Sequence, residues 1–269
     1  MKTAQGIRHC GSLLVAVLVL GMLMSCAEER ELPSQVAEAR ESYAAGHFSD
    51  AEALYEEYLQ TYPEGPQRWE AWNRLLDVAL NVRGDYESGE ALLEAMYLEF
   101  GMDPEIAFDL LSRLAGVYES MGDMDRAVQT WQECLKIEGL DIAHHPDVFM
   151  QLAKIFQLMR DYDLAVEALQ ACSEVTGDLA VKANCEYEMA QTLGYMQNWH
   201  RAKGVLDTVL EYEELDPELL ALATFMLADI HEHEGDYSTA RELLESIRDT
   251  YPNPRVVETR LEHLDDLRD

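Results

Sequence analysis

GDYESGEALLEAMYLEFG, Gly84 to Gly101, can be laid over five other stretches of the same chain. They are GHFSDAEALYEEYLQTYP (Gly46–Pro63), GDMDRAVQTWQECLKIEG (Gly122–Gly139), RDYDLAVEALQACSEVTG (Arg160–Gly177), QNWHRAKGVLDTVLEYEE (Gln197–Glu214) and GDYSTARELLESIRDTYP (Gly235–Pro252). The small residue at the sixth position of each is Ala51, Gly89, Ala127, Ala165, Ala202 and Ala240. Their successive separations are 38, 38, 38, 37 and 38 residues. A fixed period over most of a chain marks a repeat architecture, in which a unit buries its apolar face only against its neighbours.

The repeated segments read as helices. FDLLSRLAGVYESM and AVEALQACSEV carry apolar residues at i, i+3, i+4 and i+7, and no stretch alternates as a strand would. Gly-Asp pairs separate paired segments and supply a residue that tolerates positive φ. Pro63, Pro104, Pro146, Pro217 and Pro252 fall between repeats, where they end or open helices. An aromatic slot holds Phe48, Tyr86, Met124, Tyr162, Trp199 and Tyr237. A large slot holds Tyr55, Leu93, Trp131, Leu169, Leu206 and Leu244. Upstream stand Leu76, Leu114, Leu152, Met189 and Leu227, mostly followed by alanine: Ala115, Ala153, Ala190 and Ala228. Small residues let two helices approach; the aromatic is expected to fill the junction with the next unit.

This pattern of turn glycine, aromatic, alanine and large apolar residue resembles the tetratricopeptide repeat over about residues 33–252. The resemblance implies an all-α, right-handed solenoid of about six helix pairs, closed by a capping helix within 253–269 that carries Val256, Val257, Leu261, Leu264 and Leu267. Three departures stand out. The period is 38 rather than the usual 34, Arg160 and Gln197 replace the turn glycine, and Glu38 replaces the large upstream residue of repeat one.

The amino terminus has its own logic. Lys2 and Arg8 precede an uncharged run, Gly11–Met24, of 14 residues. That is short for ~30 Å of hydrocarbon at ~1.5 Å per residue, and it fits a signal segment over 1–25. Leu23-Met24-Ser25-Cys26 resembles the bacterial lipobox. The resemblance implies cleavage before Cys26, diacylglyceryl transfer to its thiol and acylation of the new amine, which together anchor a protein stably. Ala27 in place of an aspartate favours the outer membrane, facing the periplasm. Residues 26–32 then form a short tether of about 20 Å at ~3.3 Å per residue.

Beyond residue 25 the chain keeps 18 basic against 52 acidic side chains, a balance of −34. Such a chain repels nucleic acid and anionic lipid, so the membrane is reached only through the Cys26 lipid. A basic partner would be steered in by the field. No phosphate-binding glycine loop, nucleophile elbow or calcium loop is present, and Asp123-Met124-Asp125 lacks the rest of one. His231 and His233 point about 200° apart on a helix and cannot share a metal; His144-His145 reads as a loop pair. The chain is expected to be no enzyme, with no cofactor, no metal and no small-molecule substrate.

Cys134, Cys172 and Cys185 remain beyond Cys26. Cys134 and Cys172 share a slot on neighbouring parallel helices, too far apart to bridge. Cys172 and Cys185 flank the turn near Gly177 on antiparallel helices and are the candidate disulfide; the alternative is two small buried residues.

By the same resemblance, the first helix of each pair lines a groove for a protein or peptide partner. The positions carried over are Arg40, Tyr43, Arg74, Val78, Asn81, Ser112, Glu119, Met150, Lys154, Gln157, Tyr187, Gln191, Tyr195, Phe225 and Asp229. Tyr187, Tyr195 and Phe225 would be exposed aromatics, the type enriched at hot spots. The expected function is a lipid-anchored scaffold or adaptor in cell-envelope organisation. The lipobox, a repeat directly after it and the Tyr-Pro repeat ends (Tyr62-Pro63, Tyr251-Pro252) are distantly similar to the helical-repeat lipoprotein of the outer-membrane β-barrel assembly machinery. A structural, cell-wall or secretion-associated lipoprotein with no groove in use is the other alternative.

Overall fold

A computed structural model describes residues 34–213 and 215–266. The signal segment 1–25, the lipidation candidate Cys26 and the tether to residue 32 lie outside the described residues. All regular elements among those described are helical: α1 (Ser34–Ala44), α2 (Phe48–Thr61), α3 (Arg68–Asp77), α4 (Tyr86–Phe100), α5 (Pro104–Met121), α6 (Met124–Cys134), α7 (His145–Met159), α8 (Tyr162–Val175), α9 (Leu179–Tyr195), α10 (Trp199–Leu210), α11 (Pro217–Glu234), α12 (Tyr237–Ser246) and α13 (Pro254–Asp266). None is long and apolar enough to cross a membrane. Two compact units divide between Arg83 and Gly84.

In the first unit α1 packs on α2 and α2 on α3. Tyr55, Tyr58 and Leu76 are its largest fully buried side chains. α3 does not stop at Asp77 but continues as a π-helical stretch, Val78–Arg83. The sequence carries no signal for that change of winding. Gly65 is required where it stands, because a Cβ there would lie 2.2 Å from the Tyr58 hydroxyl.

The second unit stacks each helix on the next, from α4 through α13. The Gly-Asp turns do two jobs. Gly122 (φ 77°) and Gly235 (φ 80°) take the left-handed conformation that ends α5 and α11. Asp123 and Asp236 then cap the following helices by accepting from the Arg126 and Thr239 amides. Where glycine is missing the backbone does not change: Arg160 holds φ 62° and Gln197 φ 58°.

The repeat slots set the core. Ala127, Ala165, Ala202 and Ala240 are fully buried, as are Leu93, Leu206 and, almost so, Leu169 and Leu244. At the aromatic slot, Tyr162 meets Tyr195 of the next repeat, ring centroids 6.0 Å apart, and Trp199 meets His233 at 4.7 Å. Tyr86 and Tyr237 depart from the expectation and stay exposed. At the carboxyl end, Val257 and Leu264 of α13 pack with Ala221, Ala228, Leu244 and Ile247 to cover the last pair.

Candidate functional site

The expected groove residues fall into two groups, one in each unit. In the first, Asp77 is the hub. The Tyr43 hydroxyl donates to it, and Asn81 Nδ2 donates at 2.6 Å. These hydrogen bonds hold the Asp77 carboxyl below the usual range; the one to Tyr43, with burial, pushes the Tyr43 phenol up. The Arg74 guanidinium lies over the Tyr43 ring, 4.6 Å from its centroid. Arg40 is not free: its Nε donates to Glu70 at 2.6 Å. Val78, expected in the groove, is instead 1 % exposed, because it continues the buried stripe of Ala71, Leu75 and Leu76 at helical spacing.

In the second unit α7 touches α9 and α9 touches α11, a closer approach than successive second helices make among the described residues. That asymmetry puts the first helices on the inner side of the unit's curve. Gln157 Nε2 of α7 donates to Thr192 Oγ1 of α9 at 2.8 Å, fixing the seam between them. Lys154 is exposed and Gln191 half-buried. Tyr195, at the end of α9, is 64 % exposed, and Leu158, at the end of α7, 62 %.

Two of the expected groove aromatics also need correction. Tyr187 is 8 % exposed rather than a free aromatic. It is packed against Gln191 and close to Tyr251, and burial raises its phenol pKa. Phe225 is half-buried, because Tyr251 stacks on it with centroids 4.7 Å apart as the chain turns toward α13. Both side chains lie under the closing segment, which a strictly repeated register does not foresee. Two other carried-over positions are engaged internally: Glu119 accepts from Trp131 Nε1 at 3.1 Å, and Asp229 pairs with Arg260.

Glu188 was not among the expected residues. It is half-buried, and among the described residues no donor or cation meets its carboxylate. Burial alone raises its pKa. The signal for it is faint, one acidic residue among 52.

A tetratricopeptide-repeat family model matches residues 36–105 and 187–253, more than half of the chain. Two further models of the same repeat match 110–141 and 146–178. The chain belongs to the tetratricopeptide repeat family. No curated protein sequence matches it. Solved structures share the fold at low identity. The C-terminal part of a TPR repeat-containing protein from Cytophaga hutchinsonii is 14 % identical with a TM-score of 0.56, covering 80 % of this chain and 78 % of that one. BtubC from P. vanneervenii is 21 % identical with a TM-score of 0.51, covering 82 % and 94 %.

Within these tetratricopeptide repeats the cysteines have separate fates. Cys172 and Cys185 are joined across the α8–α9 turn, Cα atoms 5.9 Å apart. Cys134 is free and buried, and burial pushes its thiol up to about 12. His231 packs beside Asp236, its Nδ1 3.3 Å from the carboxylate, and His144 Nε2 lies 2.9 Å from Glu105. Among the described residues no group of three or more His, Cys, Asp or Glu side chains is placed to hold a metal.

Proposed function

We propose that this protein is a lipid-anchored, periplasm-facing tetratricopeptide adaptor that holds a segment of a partner protein on the inner face of its second unit. Tetratricopeptide proteins in general bind other proteins, which is the coarser function the family supports. One observation carries the finer reading: Tyr195 and Leu158, which hold the same slot one repeat apart at the ends of α9 and α7, are both largely exposed on the inner helices. An exposed aromatic beside a seam of amide and hydroxyl groups suits a hot-spot contact.

Anchoring rests on Leu23-Met24-Ser25-Cys26. A disulfide in the folded chain supports an oxidising compartment. The Tyr-Pro repeat ends leave a role in outer-membrane protein assembly as the narrower form of the same proposal, and the partner's identity decides it.

The test is photo-crosslinking in living cells. A photoreactive residue replaces Tyr195, with exposed Glu167 of α8 as the control. One dominant envelope protein captured from position 195 and not from 167 is expected. Equal or absent capture at the two positions sinks the inner-face reading.

A further inference from the structure

Glu188 is a half-buried carboxylate with no protein partner among the described residues. Taking a carboxylate partly out of water without a hydrogen bond or a counter-charge is unfavourable, and such groups normally have partners. Several cations of the second unit are engaged elsewhere. Arg113 pairs with Asp109, Arg126 with Glu90 and Asp123, and Arg260 with Glu232 and Asp229. Among the described residues no ion pair joins Lys154 of α7 to Glu188.

The position of Glu188 follows from α9. Thr192 lies one turn further along, its hydroxyl bonded back to the Glu188 carbonyl at 2.9 Å, and Thr192 receives Gln157 of α7. Glu188 therefore stands on the strip of α9 that faces the α7–α9 seam. Gln191 and Tyr195 follow at i+3 and i+7, on the adjoining inner strip. At ~1.5 Å per residue, Glu188 and the exposed Tyr195 ring are about 10 Å apart along the helix.

We propose that this seam binds a lysine or arginine side chain of the partner segment, with its cation on the Glu188 carboxylate and a neighbouring apolar side chain on Tyr195 and Leu158. The charge of the chain agrees: a formal balance of −32 steers a basic segment toward it and repels an acidic one. The ~10 Å spacing sets a rule for the ligand. A basic and a large apolar residue should stand about seven positions apart in a helical segment, at ~1.5 Å each, or about three apart in an extended one, at ~3.3 Å each. The inference rests on the inner-face reading above and adds the chemistry of the contact.

The experiment uses the full chain, purified in detergent, and a phage-displayed library of random 16-residue peptides. Enriched peptides should share a lysine or arginine at that spacing from an apolar residue. Their synthetic forms should bind E188Q about tenfold more weakly, and E167Q as tightly as the parent. Charge reversal supplies the second variant: E188K should refuse the parent peptide and accept one with glutamate in place of the basic residue. Enriched peptides with no fixed basic residue, or with equal affinity for E188Q, overturn the cation site while leaving the inner face as a binding surface. Binding outside the inner face, or no enrichment at all, overturns both. Self-association of the purified chain that E188Q abolishes would put a second copy in the seam and also overturn the proposal.

Discussion

Breaking the Cys172–Cys185 bond should destabilise the second unit by about 3 kcal/mol. The cysteines are 13 residues apart in sequence. Closing a loop of that size removes roughly 10 cal/mol/K from the unfolded chain, hence ~3 kcal/mol at 25 °C. If the unit melts as one, that is a drop of about 6–12 °C in Tm, taking ~2–4 °C per kcal/mol for its size. Solenoid repeats contact only their neighbours, so the loss should be concentrated. Amide exchange in α8 and α9 should accelerate more than in α5 or α12. The assay compares thermal melts and exchange with and without reductant, with a non-reducing peptide map confirming the 172–185 link. A bond shown to form, then shown to be reduced, with an unchanged midpoint would refute the loop-entropy reasoning. A map without the link would refute the pairing itself.

Three further outcomes are expected. Cys134 is buried with its thiol pushed up to about 12, so iodoacetamide at pH 8 should label it only after unfolding; labelling of the native chain would mean the repeat-three helix opens. Arg160→Gly and Gln197→Gly should each stabilise by about 0.5–1 kcal/mol in urea melts, since a side chain at positive φ costs ~1–2 and glycine returns ~0.5–1 of that as lost entropy; a destabilised variant would point to an unseen side-chain role. Glu188 has a folded pKa raised by burial, so its ionisation opposes folding. That penalty is absent below the unfolded carboxylate pKa, grows as pH rises toward the raised folded value and is complete above it. E188Q should therefore melt with the parent near pH 4 and above it at pH 7; the reverse order would contradict the burial of that carboxylate.

Most of the architecture could be read from spacing. The interval between Ala127 and Ala165, or between Leu206 and Leu244, is a packing constraint, and packing constraints repeat with the helices they join. The turns were also legible, because αL conformation is demanded there whether glycine is present or not, as Arg160 shows. What escaped was non-periodic. The π-helical stretch at Val78–Arg83 changes the face of one helix locally. The segment after α12 brings Tyr251 over Phe225 and near Tyr187. Extrapolating the groove register through the last two repeats therefore placed two aromatics in solvent that the cap covers. Glu188 was hidden for another reason: an unpaired carboxylate is a property of its surroundings, and one acid among 52 looks like all the others.

The most direct test of inner-face binding is amide hydrogen exchange on the full chain in detergent, alone and with the partner recovered by crosslinking. New protection should be confined to α7 and α9, strongest toward Leu158 and Tyr195, with α6, α8 and α10 unchanged. Protection on those second helices instead, with α7 and α9 exchanging as in the free protein, would contradict an inner-face adaptor and mark the outer surface as the interface.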